Sequence, residues 1–273
     1  MRRMLLATAA FAMLRAQTAA PAFEVASVKA SKQDSRRVGM EFLPGGRFVT
    51  TNYPLFVTIA AAYGVPFQSS GQLAGGPDWI RSERYDIEAK AESGALNGLS
   101  SAARKQRIRR MLQTLLAERF HLRVHRETKS LPVYALVTAK GGTKLQRSPI
   151  DEKDCDSPPA GGVPCHTILG GQGRGLHGQA VDLSDIALYM GNFMERPVVD
   201  QTGLQGLFKI DTTGWTPLSG KPAPPGAKAE DGSELSTVPT AFEVFAALGL
   251  RLEERRAIVE TIVIEHVEKL SEN

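Results

Sequence analysis

Cysteine is scarce in this chain: 273 residues hold only Cys155 and Cys165. Together with the adjacent His166 they offer three ligands and no CxxC spacing, too few and wrongly spaced for a structural zinc centre. A GxSxG elbow is missing, so the nucleophile signature of the α/β-hydrolases is absent. The glycine-rich run GGQGRG (170–175) has neither GxGxxG spacing nor a GK[ST] ending, so it reads as a hairpin or loop and not as a phosphate cradle. The strand carboxylates Asp86, Glu88 and Asp211 show no spacing that pairs two of them as acid and base.

Charge of one sign is also lacking. The chain carries 33 basic and 29 acidic residues. Three of the basic ones, Arg2, Arg3 and Arg15, lie in MRRMLLATAAFAMLRAQTAAPAF. That stretch has a basic start, a short apolar run from Leu5 to Leu14 and small residues near Ala16 and Ala20, the layout of a secretory signal peptide. The run falls short of the roughly 20 residues that span a bilayer, and no later segment is apolar enough to do so. Cleavage leaves a nearly neutral chain, with no global attraction to nucleic acid. Export also favours a disulfide between Cys155 and Cys165, closing the loop DCDSPPAGGVPCH.

The pattern beyond residue 20 alternates strands with helices. FEVASVK (23–29), RFVTTN (47–52) and RYDIEAKAE (84–92) alternate as strands, and YPLFVTIAAAYG (53–64) reads as a short helix with Gly64 as its stop. In SSAARKQRIRRMLQTLLAERF the apolar residues Ile108, Met111, Leu112, Leu115, Leu116 and Phe120 form one helical stripe, capped by Ser100 or Ser101. Its other face, with Arg104, Lys105, Arg107, Arg109 and Arg110, reads as solvated. The next stretch, HLRVHRETKSLPVYALVTAK, reads as a hairpin or as two strands joined by a tight turn.

The second half echoes the first. At an offset of 128, Leu55 meets Leu183, and Leu122-Arg123 meets Leu250-Arg251. RYDIEAKA corresponds to LFKIDTTG (207–214) in position and alternation. These matches predict an α+β fold of two similar β-α-β-β-α-β-β units, with mixed or antiparallel sheets and helices packed on one face. The expected division is a signal peptide (1–20), a first repeat (21–150), a linker with the disulfide loop (151–175) and a second repeat (176–273). Within the last, the Pro/Gly/Ala-rich insert 216–238 is expected to be disordered.

His121 and His125 invite a metal reading, since they stand four apart with Glu127 close behind. On a strand, however, they lie roughly 13 Å apart at ~3.3 Å per residue, too far to share an ion. The glutamate also lacks the HExxH position. The second half carries Gly249 and Glu253 at the two places. They are expected to be solvated, and neither a metal nor a cofactor is called for.

Candidate ligand-binding residues are Trp79 in GGPDWIRS, which plugs the core or stacks on a sugar or peptide, together with Asp86, Asp200 and His177. In PVVDQTGLQGLFKI, Asp200 and Thr202 can bond to local backbone while Gly203 and Gly206 permit unusual backbone angles. The structural candidates are thus Cys155, Cys165, Gly203 and Gly206, and no catalytic residue stands out.

Several segments together resemble the "soil-associated" family of exported bacterial proteins, built on a domain of unknown function. They are AFEVASVKAS, GGRF, GGPDWIRSERYDIEAKA, MLQTLLAERFHLRVHRETKSLPVYALV, RPVVDQTGLQGLF, LGLRLE and VIEHVEKLSEN. Two departures are mild: Ala30 follows SVK where the family usually has proline, and Glu265-His266 and Leu270 stand where it has Asp-His and proline. The resemblance implies export and, in some relatives, attachment to a membrane metallopeptidase like those of β-lactam sensors; it brings no known reaction. The expected role is an exported, non-enzymatic binding module whose partner is an envelope protein, a peptide or a glycan. The alternatives are an extracellular hydrolase of a polymer, with a site from Trp79, Asp86, Asp200 and His177 between the repeats, and a sensor acting with a membrane protease.

Overall fold

The computed structural model describes residues 20–32, 37–68, 71–155, 164–216 and 238–270, with short pieces at 226–228, 232 and 234. The expected signal peptide and most of the expected insert 216–238 lie outside the described residues. In chain order the elements are β1 (Val25–Ala30), β2 (Gly39–Leu43), β3 (Arg47–Pro54), α1 (Leu55–Tyr63), β4 (Leu73–Gly75), α2 (Trp79–Ser82), β5 (Arg84–Lys90), α3 (Ser101–Phe120) and β6 (Arg123–Thr138). Then follow β7 (Gln146–Arg147), β8 (Leu169–Gly171), β9 (Gly175–Val181), α4 (Leu183–Met190), β10 (Val198–Asp200), β11 (Phe208–Asp211), α5 (Ala241–Ala247) and β12 (Leu250–His266). The fold is α+β.

Local chemistry sets the helix ends. Ser100 has extended backbone and its hydroxyl accepts from Ala103 N at 3.3 Å, starting α3. All six residues of the α3 stripe are buried. Reciprocal capping boxes open α4 (Asp182 with Asp185) and α5 (Thr240 with Glu243). Helix α1 stops at Gly64, whose φ of 68° suits a residue without Cβ.

The described residues form three four-stranded sheets. The first runs β1-β5-β3-β2 and the third β7-β11-β9-β8, both antiparallel. The segment 170–175 is the turn between β8 and β9. The middle sheet, β10-β6-β12-β4, is built on the long antiparallel β6–β12 ribbon, with β10 parallel to β6 and β4 parallel to β12. The expected hairpin at 121–140 is instead one continuous strand, β6. Its polar middle pairs across to β12, Thr128 with Glu260 and Ser130 with Ile258, where both strands meet solvent. Pro132 interrupts nothing, because the register turns its ring nitrogen away from β12.

Two cores lie on either side of this ribbon. The first joins Phe48, Leu55, Ile59, Tyr85, Leu112, Leu116 and Phe120 to Ile262 and Ile264 of β12. The second joins Leu176, Leu183, Ile186, Phe208 and Phe245 to Tyr134 and Leu136 of β6 and Leu250 and Leu252 of β12. Strand β12 therefore serves both cores, while β6 belongs to the second and touches the first only through half-buried Val124. Tyr85 stacks edge-on against Phe120 at 5.0 Å, a geometry that aromatic quadrupoles favour.

Candidate functional site

A cleft of about 700 Å³ opens in the second half of the molecule, within the size range of small-ligand sites. One wall is the segment from Arg147 to Lys153, another is Asp182, Leu183 and Ser184 at the start of α4, and the third is the loop from Asp200 to Leu207. Ile150, Leu183, Leu204 and Leu207 supply apolar surface; Asp151, Glu152, Asp182 and Asp200 outnumber Arg147 and Lys153.

The Asp200–Leu207 loop folds as its residues predict. Asp200 Oδ1 accepts from the Thr202 amide (2.9 Å) and hydroxyl (2.8 Å), and Thr202 Oγ1 accepts from Leu204 N (3.1 Å). Gly203 and Gly206 take φ of 70° and 87°. At Gly206 the missing side chain leaves room for the Arg147 guanidinium, which donates to Gln205 O and lies 4.7 Å from the Phe208 ring centre.

The opposite wall is held by a bond and a network. Cys155 and Cys165 form the expected disulfide, with sulfurs 2.02 Å apart, packed with Ile150, Ala180 and Leu207. Next to it the His166 side chain is only 8% exposed, on a backbone at φ 57° that non-glycine residues seldom adopt. Its Nδ1 lies 2.6 Å from Asp185 Oδ2, and its Nε2 lies 2.9 Å from Glu152 Oε2. Lys105, from α3, donates to Asp185 Oδ1 at 3.0 Å. One chain of contacts, Lys105–Asp185–His166–Glu152, thus ties the first half to α4 and to the cleft wall.

The hydrogen bond to Asp185 raises the His166 pKa to about 9, against the opposing effect of burial and with help from the charges of Asp185 and Glu152. Burial alone would raise Asp185; the His166 hydrogen bond and the Lys105 charge override it and bring its pKa down to about 2. The two shifts record one interaction from its two ends and are not additive. His166 stabilises the fold fully below its ordinary 6.5, and that stabilisation is lost as pH rises through about 9. Asp185 contributes above 3.8, and its share is lost as pH falls toward 2. Stability should therefore plateau between those ordinary values. From the plateau to pH 9.5 it should decline by on the order of 2–3 kcal/mol, at ~1.4 kcal/mol per pKa unit. Urea unfolding across pH checks this, and His166→Gln should flatten the alkaline limb. An unchanged slope in that variant would place the titration elsewhere.

Among the described residues, two trios bring potential metal donors within 4.8 Å: His166 with Asp182 and Asp185, and His166 with Glu152 and Cys155. Cys155 is oxidised. In the other trio a cation would have to displace the imidazolium proton and lie beside Lys105, whose charge already serves Asp185. The donor set fits an ion-pair network better than a metal centre.

The candidate residues scatter. Asp200 and Gly206 line the cleft. Trp79 is half-buried against the first core, with Lys269 Nζ 5.5 Å from its ring centre. Asp86, in β5, accepts from Ser31 Oγ (2.6 Å) and Asn52 N (2.8 Å). His177, in β9, is exposed, 2.7 Å from Asp211 and 2.8 Å from Arg174 O. Asp86, Asp200 and His177 belong to three different sheets.

His121 is the left-handed cap of α3 (φ 49°) and not the start of a strand, which begins at Arg123. Its Nδ1 lies 3.2 Å from Glu268, whereas His125 Nδ1 lies 2.7 Å from Glu265, so each imidazole faces its own carboxylate.

The basic face of α3 is not wholly solvated, contrary to expectation. Lys105 reaches Asp185, Arg104 Nε donates to Leu96 O at 3.2 Å, and the Arg109 guanidinium packs under Gly64. Burial lowers the Arg109 pKa, partly offset by Asp185. Sequence reading missed Glu152, His166 and Asp185 as a set. The one local signal was Asp182 three residues before Asp185, the spacing of a capping box.

Among known proteins, the model of a family described as "Protein of unknown function (DUF3738)" matches residues 57–267. No curated protein and no solved structure matches the chain.

Proposed function

We propose that this chain, which belongs to the DUF3738 family of proteins of unknown function, is an exported, non-enzymatic binding module that takes its ligand in the cleft beside the disulfide. The carrying observation is a ligand-sized cleft with aliphatic floor and surplus carboxylates, whose wall is fixed by Cys155–Cys165 and His166. The surplus favours a ligand with a cationic or hydrogen-bond-donating group on an aliphatic body, whether a peptide, an amino-sugar polymer or an envelope protein segment. Export is supported by the disulfide, which persists in oxidising compartments. No helix among the described residues is long and apolar enough to cross a membrane. The matching strand orders of the first and third sheets, with the 128-residue offset, support reading the two halves as copies of one unit.

The test uses residues 21–273 with the disulfide intact, incubated with fractionated envelope extract. A component should be retained and recovered chemically unchanged. Gln205→Trp, an exposed cleft residue enlarged to fill the opening, should weaken retention at least tenfold with an unchanged melting temperature. Conversion of the retained component, or full retention by the variant, would refute the reading.

A further inference from the structure

A second hollow of about 320 Å³ adjoins the cleft, sharing Ser184 and Asp200 with it. We infer that this hollow takes an extended peptide, which pairs with the open backbone edge of β12 at Ile258 and Glu260 and turns a basic side chain toward Asp200. The inference rests on the binding role proposed above and names the ligand class and its mode of attachment.

The edge follows from the register. Glu260 O accepts from Gln72 Nε2, and Ile262 N donates to Gln72 O at 2.8 Å. The even-numbered residues of β12 therefore turn their N–H and C=O groups away from β6. Strand β4 covers that side only from Ile262 to Ile264. Upstream, the Ile258 N–H and C=O and the Glu260 N–H have no partner among the described residues. The same place shows Ile258 with 78% exposure, the highest of the exposed large hydrophobic residues.

An open strand edge with an exposed β-branched residue invites pairing, and proteins usually block it with a charge or a cap. The other edge of this ribbon is blocked in that way. Ser130, directly across from Ile258, has its carbonyl occupied by the Arg256 guanidinium at 2.6 Å. Of the two edges, one is capped and the other, among the described residues, is left open facing a hollow. Backbone pairing with side chains seated in adjoining pockets is the way strand addition recognises peptides.

The walls define the side chains. Pro66, Ala187, Leu188 and Val198 are apolar, and among the described residues the only charged lining ones are Asp200 and Glu260. Glu260 is paired with Arg126. Asp200 directs Oδ1 to Thr202, and its other oxygen has no partner among the described residues. A lysine or arginine side chain meets an acidic, base-free wall there.

The experiment uses the mature protein and a degenerate pool of acetylated, amidated heptapeptides with a central lysine flanked by valines. A matched pool carries glutamate at the centre, and a third carries N-methyl groups on alternate backbone amides. The lysine pool should slow hydrogen exchange at the Ile258 and Glu260 amides at least tenfold, and should bind at least tenfold tighter than the glutamate pool. N-methylation should abolish the protection, and Asp200→Asn should shrink the lysine preference below threefold. Protection confined to residues 147–153 and 200–207 would overturn strand addition and leave the cleft reading standing. Equal binding of the N-methylated pool would also overturn it. No binding by any pool would overturn the peptide inference; loss of retention of every envelope component would overturn the broader reading as well.

Discussion

Replacing Cys155 and Cys165 together by alanine should cost about 3 kcal/mol and loosen the cleft wall. The bridge closes a sequence separation of 10, and chain-entropy arithmetic gives a loop of that size about 3 kcal/mol. For a chain of this length the melting temperature should fall by roughly 6–12 °C, at ~2–4 °C per kcal/mol. Alanine keeps the site apolar against Ile150, Ala180 and Leu207, so the loss reports mainly the cross-link. The loosening should be local. The Glu152 side chain would be held by its contact with His166, where it is 45% exposed, and such a pair holds a wall weakly. Amide exchange should therefore quicken at 150–155 while β6 and β12 stay protected. Reductant on the native protein should reproduce both effects. A loss below 1 kcal/mol, with unchanged exchange at 150–155, would show that the His166 network holds the wall unaided.

The wall illustrates what the sequence could and could not disclose. The disulfide was legible from two cysteines and an N-terminal stretch with the layout of a signal peptide, and the Asp200 loop from Asp, Thr and two glycines at turn spacing. The network was not, because Lys105, Glu152, His166 and Asp185 come from four separate segments and meet only in the folded chain. Buried carboxylate–imidazole contacts have no period. The α3 stripe was legible for the opposite reason, since helical spacing is written locally. The misread hairpin at 121–140 has a physical cause too. Where β6 passes between the cores, the successive residues Thr128, Lys129 and Ser130 are all exposed, so its alternation fades into ETKS and resembles a turn. The strand continues because cross-strand pairing, and not burial, holds it there.

The 128-residue offset carries the largest single-residue prediction. His121 and Gly249, 128 residues apart, each lie between a helix and a long strand, and both sit in the left-handed region, at φ 49° and 70°. The backbone demand is the same, but the surroundings differ. His121 is exposed and faces Glu268, so His121→Gly should change stability by less than about 1 kcal/mol: relief of left-handed strain offsets a lost surface pair. Gly249→His should cost about 4 kcal/mol or more. A Cβ there would strike the Gly142 carbonyl oxygen and come within 2.9 Å of Lys144 N and 3.0 Å of Thr143 Cα. The segment 142–144 cannot retreat without losing Lys144 N to Leu248 O (2.8 Å) and Thr143 Oγ1 to Leu248 O (3.3 Å), and Ala139 N to Gly249 O (3.0 Å) is strained with them. Each such bond is worth ~1 kcal/mol, and a left-handed non-glycine residue adds at least ~1 kcal/mol. Paired urea unfolding of the two exchange variants decides it. Effects of equal size and opposite sign would mean that backbone angle alone selects glycine at 249; a loss at 249 several times larger than any gain at 121 would mean that the Gly142–Lys144 chain passing over it does.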